Sequence, residues 1–386
     1  MRAALLEKAS PSAALLVGTA AAGLLASCGG GGMDMGMGMS GPSGACMMNS
    51  MGSNCMAPTV TMQSPGSSVH LTVTLKATAA SMMMNDMVMR VDFMVDGTVV
   101  GSSVKAPYSV AWDTTSVGDG PHTLTASVMD SMDQSAVSAP VSVTVDNNPT
   151  LAVAMSAAQI LPAPGSAATG SASLSVKLAS GAVSGQVRLS GVTATAVSLN
   201  EAFAGDSGPA LISLAAGGSG QWDVPTGAML TADQVTALLQ GRLYVLAGSA
   251  AHPGGEIRGQ VTPANIMVTF SPMSGMQEVP PVSIAASGTV ATTVDSGAQT
   301  LTVHVHAAGI DDAMAGSVDS GAQGATGSKL VTLQKDAVDP GHWSMELAPV
   351  TAGDLANFMA SMWYANLATA VQPGGAIRGQ IEAPAH

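Results

Sequence analysis

The stretch that decides the fold is His252-Pro253-Gly254-Gly255-Glu256-Ile257-Arg258-Gly259-Gln260-Val261. A second copy, Gln372-Pro373-Gly374-Gly375-Ala376-Ile377-Arg378-Gly379-Gln380-Ile381, follows 120 positions later. Matching residues precede both copies in the same order, and their offset drifts by one or two positions upstream: Tyr244/Tyr364, Thr231/Thr351, Leu211/Leu330, Pro162/Pro280 and Gln159/Gln277. Such self-similarity predicts two domain-sized units of one fold in tandem, over 150–262 and 264–382.

Each copy of the motif predicts a turn that leads into a closing strand, with glycine allowing positive φ. The lysine, Ser/Thr pair and following helix of a phosphate-binding loop are missing. Along the strand Ile257, Gly259 and Val261 face one side. Arg258 and Gln260 face the other, so the arginine is either part of a structural cross-strand ion pair, which we favour, or a recognition group. We predict structural roles for the shared residues of both copies: Pro253, Gly254, Gly255, Glu256, Arg258, Gly259, Gln260, Pro373, Gly374, Gly375, Arg378, Gly379 and Gln380.

Upstream of the repeats, short alternating stretches predict a β-sandwich over 58–146. The segment 69–77 has the period of a half-buried strand, Asp96-Gly97 is a hairpin-turn signal, and Trp112 is the expected centre of an apolar core. The repeats are also mostly strand. One short helix is expected in each, because Thr231-Ala232-Asp233-Gln234 fits a capping box and Thr351 begins the same pattern.

The repeats resemble the chordin-type (CHRD) domain in their Pro-Gly-Gly-Glu-Ile-Arg-Gly-Gln ending, in Gln277-Glu278-Val279-Pro280-Pro281 and in Gly241-Arg242-Leu243-Tyr244. That resemblance implies secreted, non-enzymatic β domains. Residues 58–146 resemble bacterial immunoglobulin-like domains around Asp96-Gly97, 107–113 and 120–126. The expected architecture is all-β: an N-terminal immunoglobulin-like β-sandwich followed by two tandem β-rich CHRD-like domains, each with one short helix.

Histidines that are usual in the CHRD pattern are missing from both repeats. Val197-Ser198-Leu199 and Gly316-Ser317-Val318 stand where the family has His-x-His, and Gly248 and Ala368 stand where a later histidine is expected. Any metal site that the family builds from those histidines is therefore not expected here.

The N-terminus resembles a lipoprotein signal peptide, expected over 1–27. Arg2 and Lys8 precede an apolar run that is short for a membrane span, and Leu25-Ala26-Ser27-Cys28 resembles the bacterial lipobox, in which the cysteine carries the lipid. We therefore expect lipidation of Cys28 and a chain that is anchored in the membrane rather than spanning it. The outer membrane is preferred over the inner one, because Gly29 replaces the aspartate that often signals inner-membrane retention, and the domains would be periplasmic or surface-exposed.

Residues 28–57 are rich in Gly and Met and are predicted to form a disordered tether. They contain too few bulky groups to offset the entropy of ordering the chain. Cys46 and Cys55 form either a small disulfide or part of a soft metal site. The chain has 27 methionines, and thioethers favour Cu(I). Met33, Met35, Met37 and Met39 are therefore candidate Cu(I) ligands, or else flexible filler and sacrificial oxidation sites.

His304 and His306 form a separate candidate pair. A His-Val-His spacing places both rings on one face of a strand, about 7 Å apart. Two such rings can occupy two corners of a Zn or Cu site. They can equally be solvated or hydrogen-bonded histidines, because no third ligand lies close in sequence.

The net charge and the motifs limit which classes of function the chain can have. With 12 basic and 25 acidic residues, the net charge of −13 disfavours nucleic acid and anionic lipid headgroups as partners. No serine lies in a Gly-x-Ser-x-Gly context, so we expect neither an enzyme nor a cofactor. The leading hypothesis is a cell-envelope lipoprotein whose β modules act in binding, adhesion or envelope structure, with an unknown protein or glycan partner. The alternative is periplasmic Cu(I) binding by the Met-rich tail.

Overall fold

The structure is a computed structural model that describes residues 57–82 and 86–384. The predicted signal peptide, the lipidation site Cys28, the pair Cys46 and Cys55, and the candidate copper ligands Met33, Met35, Met37 and Met39 lie outside the described residues. Across the described ranges the protein is all-β apart from two short α-helices and three 3₁₀ turns (Thr114–Ser116, Ala157–Gln159 and Gly275–Gln277), as predicted.

The immunoglobulin-like domain is a sandwich of two sheets. Its strands β1 to β9 are Thr59–Met62, Ser68–Val69, Thr72–Ala80, Val88–Val95, Thr98–Ser103, Tyr108–Asp113, Gly120–Asp130, Ser135–Val137 and Val141–Val145. One sheet has the order β1-β3-β6, and the other has the order β2-β9-β7-β4-β5 with β8 added to β7. Trp112 is buried in the core between the sheets. Asp96 and Gly97 both have positive φ in the β4–β5 hairpin, which confirms the predicted turn.

The first CHRD-like domain is one nine-stranded sheet. Strands β10 to β18 are Thr150–Ser156, Thr169–Lys177, Ala182–Ser190, Ala194–Glu201, Ala210–Ser213, Ala215–Gly218, Gln221–Asp223, Leu243–Ser249 and Ile257–Gln260. The order is β14-β13-β17-β18-β10-β11-β12-β16-β15. Its two edge strands, β14 and β15, are successive segments of chain that are separated only by Leu214, so the sheet nearly meets itself.

In the second CHRD-like domain the sheet closes completely. Strands β19 to β26 are Ile266–Ser274, Ser287–Asp295, Thr300–Ala308, Ala315–Ser320, Ser328–Lys335, His342–Pro349, Trp363–Ala368 and Ile377–Ile381. They close in the order β19-β20-β21-β24-β23-β22-β25-β26. The motif strand β26 seals the barrel, since it pairs with β25 on one side and with β19 on the other. Strand β18 occupies the same place in the first domain, between β17 and β10.

One capped helix covers each of these sheets, as the sequence predicts. Helix α1 is Ala232–Leu239 and helix α2 is Ala352–Met359. The Thr231 hydroxyl accepts from the Gln234 backbone N–H, and the Gln234 side chain accepts from the Thr231 N–H. Thr351 and Asp354 repeat this reciprocal pair, which satisfies two otherwise free N–H groups at each helix start.

The chain from 48 to 386 forms one compact unit, to which all described residues belong. None of the helices in the described ranges has the length and apolar character needed to cross a membrane.

Candidate functional site

The motif strand of each repeat is buried on both faces. Ile257 points into the core of the first CHRD-like domain, and Arg258 and Gln260 are buried on the opposite side of the strand. Loop 202–208 covers that outer side in the first domain, and loop 321–327 covers it in the second. In each domain the arginine therefore lies on the strand face opposite the isoleucine, and a loop of the same domain encloses it.

Arg258 binds loop 202–208 through backbone carbonyls. One guanidinium nitrogen donates to Phe203 O at 2.8 Å and to Gln260 Oε1 at 2.8 Å, and another donates to Asp206 O. The guanidinium carbon lies 3.6 Å from the centroid of the Tyr244 ring, within cation–π range. Burial lowers the pKa of Arg258 to about 10, which still leaves the group charged at neutral pH.

Arg378 makes the same contacts in the second domain. It donates to Ala325 O at 2.7 Å, to Ala322 O at 3.0 Å and to Gln380 Oε1 at 2.8 Å, and it lies 3.6 Å from the Tyr364 ring. The cross-strand ion pair that we favoured from the sequence is therefore wrong for both arginines, although both have structural contacts. Their hydrogen-bond acceptors in the described chain are carbonyl oxygens, not carboxylates.

The other motif residues complete the same scaffold. Gln260 donates to Ala202 O at 2.9 Å and to Gly241 O at 2.7 Å, while its backbone N–H donates to Gln159 Oε1. Gln380 and Gln277 repeat these contacts. The repeat pairing read from the sequence therefore corresponds to identical hydrogen bonds in the two domains.

Two glycines of each motif are required by geometry. Gly255 and Gly375 have φ of +138° and +139°, values that side-chain-bearing residues rarely adopt. A Cβ at Gly259 would lie 2.5 Å from Val153 Cγ1, and one at Gly379 would lie 2.6 Å from Met273 Cγ. Pro253, Gly254, Pro373 and Gly374 form the exposed part of the turn.

Glu256, the acidic residue of the first motif, does not pair with Arg258. Its carboxylate accepts from the Ser166 hydroxyl at 2.7 Å, and hydrogen bonds from Ser249 and Ser166 lower its pKa. Ala376 replaces it in the second copy and is fully buried. The acid is therefore a local contact of the first domain and not a shared element of the motif.

A cluster of three histidines lies where the second CHRD-like domain contacts the first. His304 and His306 are on β21, and His342 begins β24 directly opposite His306. The His342 ring stacks on both, with centroid separations of 5.3 Å to His304 and 4.6 Å to His306. The predicted shared strand face is present, but His304 is only 2 % exposed and so is not a solvated histidine.

Each histidine of the cluster has a different polar neighbour. His304 Nδ1 lies 3.1 Å from His342 Nε2. His306 Nε2 donates to Gly205 O of the first CHRD-like domain at 2.6 Å. Burial, together with the charge of His342, lowers the pKa of His306. The polar neighbour of His342 is Asp336, whose carboxylate lies 3.8 Å from His342 Nδ1.

Two carboxylates lie close to the His304 ring, and one of them is near its remaining nitrogen. Its Nε2 is buried, has no hydrogen-bond partner among the described residues, and lies 3.5 Å from Glu346 Oε1. Asp206 extends from loop 202–208, and the three potential ligand atoms of Asp206, His304 and Glu346 all lie within 4.8 Å of one another. His304 lowers the pKa of Glu346. This set of one imidazole and two carboxylates can bind a cation.

The sequence had paired His304 with His306, but the structure separates their roles. His306 contacts a backbone carbonyl, whereas His304 faces Asp206 and Glu346. Sequence inspection missed His342, Glu346 and Asp206, because they come from a different strand or a different domain. A His-x-x-x-Glu spacing at His342 and Glu346 was the one available signal, since residues four apart share a strand face.

Two buried polar side chains of the second domain lie together beside the motif turn. Glu278 Oε1 and Asn366 Oδ1 lack hydrogen-bond partners in the described structure, and each lies 2.6 Å from the position that a Cβ on Gly375 would take. Burial raises the pKa of Glu278 to about 7, against the opposing effect of Arg378. At the matching position of the first domain, Gly255 is flanked by the apolar side chains of Ile160 and Leu246.

Comparison with known proteins identifies the modules. The CHRD domain model matches residues 151–261 and 269–381, and the bacterial Ig domain model matches residues 58–126. No curated protein matches the chain. Fibronectin(III)-like modules of Clostridium thermocellum CbhA match with 33% identity over 22% of this chain and 93% of theirs, at a TM-score of 0.19.

The N-terminal eight Ig domains of Down Syndrome Cell Adhesion Molecule isoform 1.30.30 match with 11% identity over 85% of this chain and 46% of theirs, at a TM-score of 0.16. Scores this low carry no argument about shape or function.

The two matches to the CHRD model together cover more than half of the chain. The protein therefore belongs to the CHRD domain family, with a bacterial Ig domain preceding its two CHRD domains.

Proposed function

We propose that this chain is a non-enzymatic, lipid-anchored cell-envelope protein whose β modules bind another molecule or contribute to envelope structure. The proposal rests on the contacts that the motif side chains make. Arg258 and Arg378 are buried and bind loops of their own domains, so the repeated signature builds scaffolds. Rigid β scaffolds of this kind present loops and junctions to partners.

Clefts at the module junctions support a binding role. One cleft, of about 460 Å³, is lined by all three modules, including His70, Leu239, Asn265 and Asp295. This volume is in the range of small-molecule and peptide-side-chain sites. Burial lowers the pKa of His70, against the opposing charges of Asp146 and Asp295. The cleft is therefore lined by an acidic group and a neutral imidazole at pH 7.

The net charge of −13 favours a neutral or basic partner over nucleic acid. An envelope protein or glycan meets this requirement, and the lipobox-like Leu25-Ala26-Ser27-Cys28 would place the modules where such partners occur. A lipid anchor would hold the N-terminus at the membrane, and the β modules would extend from it toward their partner.

The test is capture from native envelope with the immobilised full chain. Ala298→Arg would fill the rim of this cleft, and Ala216→Arg, at an exposed alanine that does not line the cleft, is the matched control. We expect an envelope component that is retained by the wild type and by Ala216→Arg but lost by Ala298→Arg. Rebinding of the purified component, before and after protease or periodate treatment, identifies it as protein or glycan.

Retention by Ala298→Arg equal to that of the wild type would exclude the cleft as the binding surface. If no envelope component were retained by the native chain, and deletion of the gene left envelope integrity unchanged, the proposal of a binding or structural role would be wrong.

A further inference from the structure

The environment of His304 Nε2 requires a positive partner or a proton. If His304 donates its Nδ1–H to His342 Nε2, at 3.1 Å, its Nε2 carries a lone pair. That lone pair lies 3.5 Å from Glu346 Oε1, and a carboxylate oxygen of Asp206 belongs to the same cluster of potential ligand atoms. Converging lone pairs at a buried nitrogen are unfavourable unless a cation lies between them.

The spacing of these atoms fits a small divalent ion. Zn²⁺ binds imidazole nitrogen and carboxylate oxygen at about 2.0–2.2 Å, so two ligands of a tetrahedral ion are roughly 3.4 Å apart. The distance from His304 Nε2 to Glu346 Oε1 is 3.5 Å. Asp206 is half-buried and Glu346 is exposed, so both carboxylates can adjust while the buried imidazole stays fixed.

The surroundings of the ligands resemble the support that metal-bound histidines need. A ligating histidine usually donates its second ring nitrogen to a fixed acceptor, which sets its tautomer. His342 is that acceptor for His304, and Asp336 lies 3.8 Å from the far nitrogen of His342. The nearby cation Arg242 acts on Glu346 but is paired with Glu201 at 3.2 Å. A divalent ion would supply the positive charge that the two carboxylates share.

We propose that Asp206, His304 and Glu346 bind one Zn²⁺ ion, which ties the first CHRD domain to the second. Asp206 belongs to loop 202–208 of the first domain, whereas His304 and Glu346 belong to β21 and β24 of the second. The fourth position would be open to water or to an external ligand. This site is separate from the positions where the family usually has histidines, which are occupied here by Val197-Ser198-Leu199 and Gly316-Ser317-Val318.

The experiment is calorimetric titration of the chelator-stripped full chain with ZnCl₂, alongside thermal melts with and without the ion. Asp206→Asn and Glu346→Gln remove one ligand from each domain. Both are solvent-accessible, so the fold is expected to persist, and circular dichroism of the metal-free variants checks this. Asp233→Asn is the matched control, because Asp233 is an exposed carboxylate on helix α1 that belongs neither to the ligand set nor to the histidine cluster. Cys46, Cys55 and the methionines are the same in all variants and give a common background.

We expect one Zn²⁺ per chain with a rise in melting temperature in the wild type and in Asp233→Asn. Each ligand variant should lose at least roughly tenfold in affinity and show no rise. Unchanged affinity in both ligand variants, or no uptake by the wild type, would overturn the site. If only Glu346→Gln weakened binding, the ion would belong to the second domain alone and the bridging proposal would be wrong. An equal loss in Asp233→Asn would overturn the assigned ligand set.

Discussion

Arg258 and Arg378 show how a charged side chain can be part of a core. Removing a guanidinium from water is costly unless hydrogen bonds replace the lost hydration. Each arginine has three oxygen acceptors and an aromatic ring as a partner. The planar guanidinium is suited to this arrangement, because its donors diverge to reach two carbonyls and one amide at once.

At the motif turn, Gly255→Val should destabilise the first CHRD domain far more than Glu256→Ala. Valine must adopt a φ of +138°, and its Cβ would lie 2.8 Å from Leu246 Cδ1, so we expect a loss of roughly 2–4 kcal/mol. Glu256→Ala removes the contact with Ser166 and recreates the Ala376 of the second copy. Scanning calorimetry of the full chain measures both changes. If Glu256→Ala proved the more damaging, the motif would be a charge or binding site.

Glu278 makes the stability of the second CHRD domain depend on pH. Folding raises its pKa from 4.5 to about 7, so the folded state favours the protonated carboxyl. The resulting contribution to stability is complete below about pH 4.5 and is lost as pH rises through about 7. Above that pH a buried carboxylate lies beside the unpaired Asn366 Oδ1.

Glu278→Gln should remove this pH dependence. The amide cannot ionise, and its NH₂ can donate to Asn366 Oδ1, so the variant should be more stable than the wild type by roughly 1–3 kcal/mol at pH 8. At pH 4 the two proteins should melt alike. The measurement is urea unfolding of both proteins from pH 4 to pH 8. A difference that stayed constant with pH would show that Glu278 does not titrate in this range.

At the scale of the element, loop 202–208 is held from beneath by the motif strand. Arg258 binds Phe203 O and Asp206 O, Gln260 binds Ala202 O, and the Gly208 N–H donates to Tyr244 Oη. Loop 321–327 is held in the same way by Arg378, Gln380 and Tyr364. Both loops are therefore ordered by side chains that lie far away in sequence.

Arg258→Met should release loop 202–208 while keeping the volume of the side chain. The carbonyls of Phe203 and Asp206 would lose charged donors, at a cost of about 3 kcal/mol. Hydrogen exchange of the loop peptide should accelerate, while loop 321–327 in the same molecule serves as the internal control. Arg378→Met should give the opposite pattern. Equal protection of both loops in both variants would show that the arginines do not order them.

For the whole molecule, the expected anchor is the lipid on Cys28. Cys28→Ser should leave unlipidated precursor and remove the protein from the membrane fraction, because the lipid that is expected to anchor it would be missing. Fractionation with lipid labelling measures this, and Cys46→Ser is the matched control. A Cys28→Ser protein that stayed equally membrane-bound with unchanged labelling would contradict the lipobox interpretation. Density separation of the two membranes tests the preference for the outer one.

Local sequence by itself determined the elements of this protein and their repetition. The Asp96-Gly97 turn, the alternating strands and the helices capped by Thr231 and Thr351 each follow from interactions within a few residues. The two copies of the motif could be aligned because equivalent residues keep their order along the chain. Glycine at 255 and 375 signalled the positive φ, since that conformation excludes most side chains.

Tertiary structure alone decided which groups meet across long separations. The sequence placed Arg258 on a strand face, but only the return of loop 202–208 over that face buried it. Likewise, the His304–His306 spacing was visible, whereas the approach of Asp206 from another domain depends on how the domains pack. Burial and convergence are properties of the closed surface, and a pattern of alternating residues contains no information about what covers its outer side.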